Sequence, residues 1–112
     1  MVRGSGETSQ VVTGVGEEIP IPSRATTSRA LLDNEQVRVV SFAFGVGERL
    51  TEHTATEAVV VQLIEGRLHF EVQGASHELE PGDCVYLAPG EPHALAAVAP
   101  SRVSLVLIHR AG

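Results

Sequence analysis

Lysine is absent: all eight basic residues of this 112-residue chain are arginines. Without an ε-amino group there is no Schiff-base chemistry, no P-loop lysine and no lysine general base. Cysteine is nearly absent as well. Cys84 stands alone, so the chain has no internal disulfide and no Cys-x-x-Cys for a redox pair or a structural zinc. It reads as a small apolar strand residue rather than a nucleophile. Positive charge is scarce, and the formal net charge of −6 argues against nucleic acid as a partner, because such binding needs basic stripes to displace counterions. Long apolar runs are missing too. Ala58 to Val61 and Ala94 to Pro100 fall far short of the roughly 20 residues that cross a bilayer, so no membrane partner is expected. The opening Met1-Val-Arg-Gly-Ser-Gly6 has no apolar run followed by a small-residue cleavage site, which makes a cytoplasmic location the expectation.

Helical periodicity is the last absence. No stretch keeps apolar residues at helical spacing through three turns, and no internal repeat is evident. What remains is a strand pattern. Val37 to Phe44 is β-branched and aromatic and ends at Gly45-Val-Gly47. Ala58 to Ile64 reads as a buried strand ended by Glu65-Gly66. Leu68, Phe70 and Val72 alternate with His69, Glu71 and Gln73, giving one dry and one wet face. Further strands follow around Leu79, over Cys84–Leu87 and over Val103–Ile108, separated by Gly74-Ala-Ser76, Pro81-Gly82-Asp83 and Ala88-Pro-Gly-Glu-Pro92. Short strands with Gly/Pro punctuation predict an antiparallel sandwich or barrel. Residues 1–24, rich in Gly, Ser, Thr and Pro, read as a mobile lead-in, and residues 25–112 as one barrel domain. Within the lead-in, Val11-Val12 and Ile19-Pro-Ile21 are candidates for pairing at a sheet edge, and residues 9–22 for crossing between subunits.

Two segments carry the chemistry. One runs from Gly47 through His53, Ala55, Glu57 and Val59 to Gly66; the other runs from Gly82 through Ala88 and Gly90 to His93 and Ala97. They resemble the paired motifs of the cupin superfamily, G-x5-H-x-H-x3-E-x6-G and G-x5-P-x-G-x2-H-x3-N, over roughly residues 37 to 108. The resemblance implies an all-β fold, the double-stranded β-helix or jelly-roll barrel. It also implies a divalent metal (zinc, iron, manganese or nickel) inside that barrel, and a homodimer. Physically, alternate strand residues share a face about 6–7 Å apart, so histidines at i and i+2 converge on one cation. A carboxylate and a third histidine complete the ligand set and leave a position open for substrate.

His53 and His93 occupy the first and last ligand positions of that pattern. Ala55 and Val59 occupy the second histidine and the glutamate positions, while Ala88 and Ala97 replace the usual proline and asparagine. Two imidazoles alone make a weak metal site. Glu57 shares strand parity with His53 and is the candidate third donor, set against the plainer reading that it sits in a turn facing solvent. Val59, Val61, Tyr86 and Leu95 are the candidate pocket walls, although a buried tyrosine with one ordinary partner is commoner. Of the other histidines, His69 is expected on the outer face, His77 inward by its parity with Leu79, and His109 in solvent. No serine lies in a nucleophile elbow, and no helix follows Gly14-Val-Gly16 to cradle phosphate.

Three functions are consistent with this chain. The favoured one is a small-molecule binding module whose degraded metal centre has become an apolar pocket. The second is a metal-dependent oxygenase or isomerase acting on a small organic acid or enol. The third is a structural dimer without ligand.

Overall fold

The computed structural model describes residues 1–16 and 19–110, and of Glu52 and His53 it describes the backbone alone. The elements are all strands: β1 (Val2–Arg3), β2 (Thr26–Asp33), β3 (Val37–Phe44), β4 (Arg49–His53), β5 (Ala58–Glu65), β6 (Leu68–Val72), β7 (Ala75–Leu79), β8 (Cys84–Leu87), β9 (His93–Ala97) and β10 (Ser101–Ile108). They form two sheets, one ordered β1-β2-β3-β10-β5-β8 and the other β4-β9-β6-β7. All pairings are antiparallel except that of β1 with β2. The fold is an all-β barrel in which the two sheets face each other across a single apolar interior.

Period-two alternation decides which side chains face that interior. On β5, Val59, Val61 and Leu63 are buried, while Gln62 between them is exposed. The register carries this parity to its neighbours, setting Val59 opposite Leu107 and Leu87, and Val61 opposite Leu105 and Val85. On the facing sheet, Leu68 and Phe70 of β6 are fully buried and lie opposite Ala97 and Leu95 of β9. Packing is tightest at one end, where Phe44, Leu63, Leu68 and Val103 are almost wholly enclosed. At the other end Leu50, Ala55, Leu105 and Leu107 are only partly buried. The interior therefore loosens toward the loops that precede β5 and β9.

Turn chemistry fixes the register. Val72 pairs with Ala75 across Gln73 (φ 54°) and Gly74 (φ 72°), the left-handed pair that a two-residue hairpin turn requires. Gly66, which ends the first motif, has φ 96°, and a Cβ there would lie 2.3 Å from both the Pro100 carbonyl oxygen and Ser101 Oγ. Only glycine fits that crossing.

The lead-in differs from expectation. The described residues among 9–22 form no strand, and the edge partner of β2 is Val2–Arg3. The segment is held by side chains instead: Gln10 Nε2 donates to the Arg3 carbonyl (2.7 Å), and Asn34 Nδ2 donates to Gln10 Oε1 (2.9 Å). Pro20 and Pro22 supply no backbone N–H for a ladder, which accounts for the missing rung at Ile19-Pro-Ile21; Val11-Val12 likewise pairs with no strand among the described residues.

Candidate functional site

The loose end of the interior holds a cavity of about 120 Å³. Its lining is Leu50, Ala55, Val59, Val61, Phe70, His93, Leu95, Leu105 and Leu107. Eight of these nine residues are apolar, which leaves His93 as the one polar side chain among the described residues of the wall. The cavity gathers the positions of both motifs. Ala55 comes from the loop after β4, Val59 from β5 and His93 from the start of β9. Backbone pairing of β4 with β9 sets residue 53 directly opposite residue 93. The side chain of His53 lies outside the described residues.

Local structure orients His93 closely. The residue is 8% exposed, and its ring lies parallel to that of Phe70, with an interplanar angle of 1° and centroids 6.0 Å apart. Nδ1–H donates to the Glu91 carbonyl oxygen at 3.0 Å. A carbonyl only accepts, so in the neutral ring the proton sits on Nδ1 and Nε2 carries the lone pair. The turn before β9 is tied to the loop before β5 by Gly90 N–H donating to the Ala55 carbonyl at 2.7 Å.

The metal implied by the resemblance does not fit the described residues. Ala55 and Val59 present carbon where that ligand set needs nitrogen and oxygen. Among the described residues, no group of three His, Cys, Asp or Glu side chains could hold a metal ion. Glu57, the expected third donor, is outside the cavity lining. It accepts from His109 Nδ1–H at 2.5 Å, and His109 Nε2 lies 3.4 Å from Asp33 Oδ1. His109 is therefore neither free in solvent nor remote from the site. Protonation of its ring is favoured first by the hydrogen bond to Glu57 and then by that to Asp33, so its pKa is raised.

Tyr86 is a second correction. It is 63% exposed, because Val85 and Leu87 pair with inward-facing Val61 and Val59 while Tyr86 pairs with Val60 on the outer face. Cys84 shares that outer face and is exposed rather than packed. His77 has the inward parity expected of it but is exposed, on β7 at the edge of its sheet. His69 lies on the outer face between two carboxylates, 2.6 Å from Glu78 and 3.3 Å from Glu71; these bonds, that to Glu78 foremost, raise its pKa. Val59, Val61 and Leu95 line the cavity. Sequence reasoning missed Leu50, Phe70, Leu105 and Leu107 as walls, although the dry-face alternation of β6 marks Phe70 and the apolar run of β10 contains Leu105 and Leu107.

A larger depression, of about 440 Å³, lies on the outer face of the four-stranded sheet over Ala94 and Ala96, between Arg49 and Thr51 on one side and His69 and Glu71 on the other. It is shallow and open to solvent. The smaller cavity, less open and almost wholly apolar with one oriented imidazole, has the character of a ligand site.

Comparisons with known proteins agree with this architecture. A conserved protein of unknown function from Streptococcus pyogenes has a TM-score of 0.83 at 20% identity, covering 100% of this chain and 98% of its own. A cupin superfamily protein from Desulfitobacterium hafniense scores 0.80 at 16% identity, covering 92% and 94% of the two chains. A salicylate 1,2-dioxygenase mutant from Pseudoaminobacter salicylatoxidans scores 0.70 at 15% identity, with 78% of this chain matched to 28% of that one. At these identities the likeness is one of fold. No curated protein matches the sequence. The sequence model of the cupin domain matches residues 40–109, from β3 to just past β10 and so across both motifs and the cavity they line, and on that match this chain belongs to the cupin family.

Proposed function

We propose that this cupin is a small-molecule binding module that takes a compact, uncharged and largely apolar ligand into the barrel cavity. The observation that carries the reading is the lining itself, eight apolar residues and one oriented histidine, with Ala55, Val59 and His93 at positions where the family motif places metal ligands. A cavity of about 120 Å³ is close to the roughly 150 Å³ apolar cavities that admit a benzene-sized molecule. The polar contact is His93. A ligand hydroxyl both donates and accepts, so it can join the hydrogen bonds that the ring already makes, among them that to the Glu91 carbonyl. A phenol, an enol or a small alcohol has that chemistry. A carboxylate does not suit the site, since no cationic side chain among the described lining residues would offset a desolvation cost of several kcal/mol.

The test is a thermal-shift comparison of phenol, cyclohexanol and benzoate. Phenol or cyclohexanol at a hundredfold excess over its dissociation constant stabilises the protein by about 2.7 kcal/mol, and benzoate shifts it far less. His93→Ala reduces the preference for the hydroxyl compounds. A flat response to all three overturns the reading. Elemental analysis of protein purified without a histidine tag supplies an independent check. About one equivalent of a transition metal, lost in His53→Ala, would overturn the binding module in favour of a metal-dependent oxygenase or isomerase.

A further inference from the structure

The cavity's open end is ringed by charge. In the β5–β10 register, Val59 faces Leu107 and Ala58 faces Ile108, so the next rung brings Glu57 to His109. Residues 57 and 109 thus share parity with the cavity walls Val59 and Leu107 and stand one step beyond them, at the rim. The same register sets Leu107 opposite Arg38 on β3, and Arg38 opposite Asp33 on β2. The rim therefore reads Glu57, His109, Arg38 and Asp33. Of these, Glu57 lies in the loop that carries Ala55, itself a cavity wall seated against the Gly90 amide.

We infer that His109 braces the mouth of the cavity, tying the β4–β5 loop at Glu57 to β2 at Asp33, and that losing this tie frees the loop and speeds ligand exchange. The exchange half rests on the pocket reading proposed above; the brace itself does not. The residues tied are far apart in sequence, and without the imidazole two carboxylates would face each other across the rim. His109 is itself seated by its backbone N–H donating to the Gln36 carbonyl at 2.9 Å. The charged groups around it are Glu57 from the loop, Asp33 from β2, Arg38 from β3, Glu35 from the β2–β3 turn and Arg110 next in the chain. Among the described residues, only Glu57 and Asp33 make ion pairs with it.

The sign follows from the geometry. Both ring nitrogens face carboxylates, so the doubly protonated ring makes both contacts and the neutral ring makes one. The brace is whole below the ordinary histidine pKa of about 6.5 and is lost as pH rises through the raised value of His109.

Amide hydrogen exchange on the full chain tests the brace without any ligand. The Gly90 amide reports whether the loop is seated, and the Leu63 amide, which donates to the Asp83 carbonyl, serves as a distant control. After correction for intrinsic exchange, Gly90 protection in the wild type falls about two- to fivefold between about pH 5.5 and about pH 8.5, while Leu63 stays level. In His109→Gln, Gly90 is poorly protected and level with pH; in His109→Lys, whose charge persists to about pH 10, protection is retained across the range. A wild-type Gly90 profile that is level, or that His109→Gln reproduces, overturns the brace. Phenol exchange, followed by NMR line shape, is about two- to fivefold faster in His109→Gln at about pH 5.5. Phenol that binds neither protein while Gly90 still follows pH sinks the pocket reading and leaves the brace standing; phenol that binds both with equal exchange rates overturns the gating.

Discussion

Filling the cavity is the most direct perturbation of the proposed site. Ala55 lies on its wall and packs against the core cluster, and Ala55→Leu adds three carbons pointing into a space of about 120 Å³. At about 0.8 kcal/mol per buried carbon the gain approaches 2.4 kcal/mol, and ordering the leucine side chain takes back about 0.5–1 kcal/mol. The expected net effect is a stabilisation of about 1.5 kcal/mol, equivalent to a rise in melting temperature of roughly 6–12 °C for a domain of this size. Phenol binding weakens at least tenfold in the same variant, because the added atoms occupy its place. Urea denaturation and a phenol titration, run side by side, measure both quantities. Val11→Leu is the control: Val11 is 80% exposed, and a change there stays within about 0.5 kcal/mol. If Ala55→Leu destabilises the protein, the space is already filled and the cost is overpacking of about 1–3 kcal/mol. That result would refute the cavity and the function built on it.

Three further outcomes are expected. Phe70→Ala removes a fully buried ring stacked on His93, so chemical denaturation records a loss of about 3–5 kcal/mol and the histidine loses its orientation. Gly66→Ala forces a Cβ onto the Pro100 carbonyl at φ 96° and lowers stability by at least about 2 kcal/mol, read from the urea midpoint; a neutral result would show that the β5–β6 turn can move aside. His69→Gln removes a ring whose pKa is raised by Glu78 and Glu71, a contribution present below about pH 6.5 and lost as pH rises through the raised value. Wild type therefore exceeds His69→Gln in melting temperature at about pH 6, and the gap closes by about pH 8.5. A gap that widens with pH would contradict the assignment.

Much of the fold was legible because alternation and turn residues are local signals. β3, β5, β6, β8 and β10 coincide with apolar or alternating runs, and the glycines of the two motifs fall where their turns require them. β1 and β2 escaped notice at the lead-in, and two further strands did so through their composition. β4 is Arg-Leu-Thr-Glu-His, mostly polar, and β9 is His-Ala-Leu-Ala-Ala, with alanine where strand formers are usual. Both are strands because a partner supplies the ladder: β9 lies between β4 and β6, and its inward residues meet Leu50, Phe70 and Leu68. Neither announces itself alone.

The candidate site divides along the same line. The sequence by itself determined the spacing of residues 53, 55, 59 and 93, which resembles the cupin motifs, and that carbon stands at two positions where those motifs have donors, because spacing and side-chain chemistry are properties of the chain. Strand parity likewise told which residues share a face. Only the tertiary structure decided which face is inside, and so sent Tyr86 outward and left His77 uncovered on an edge strand. It also decided that Glu57 serves His109, 52 positions away, rather than the cavity, and that His109 reaches Asp33, 76 positions away. Such partners are chosen by sheet order and register. These arise from long-range burial of apolar faces, and no local window of sequence contains them.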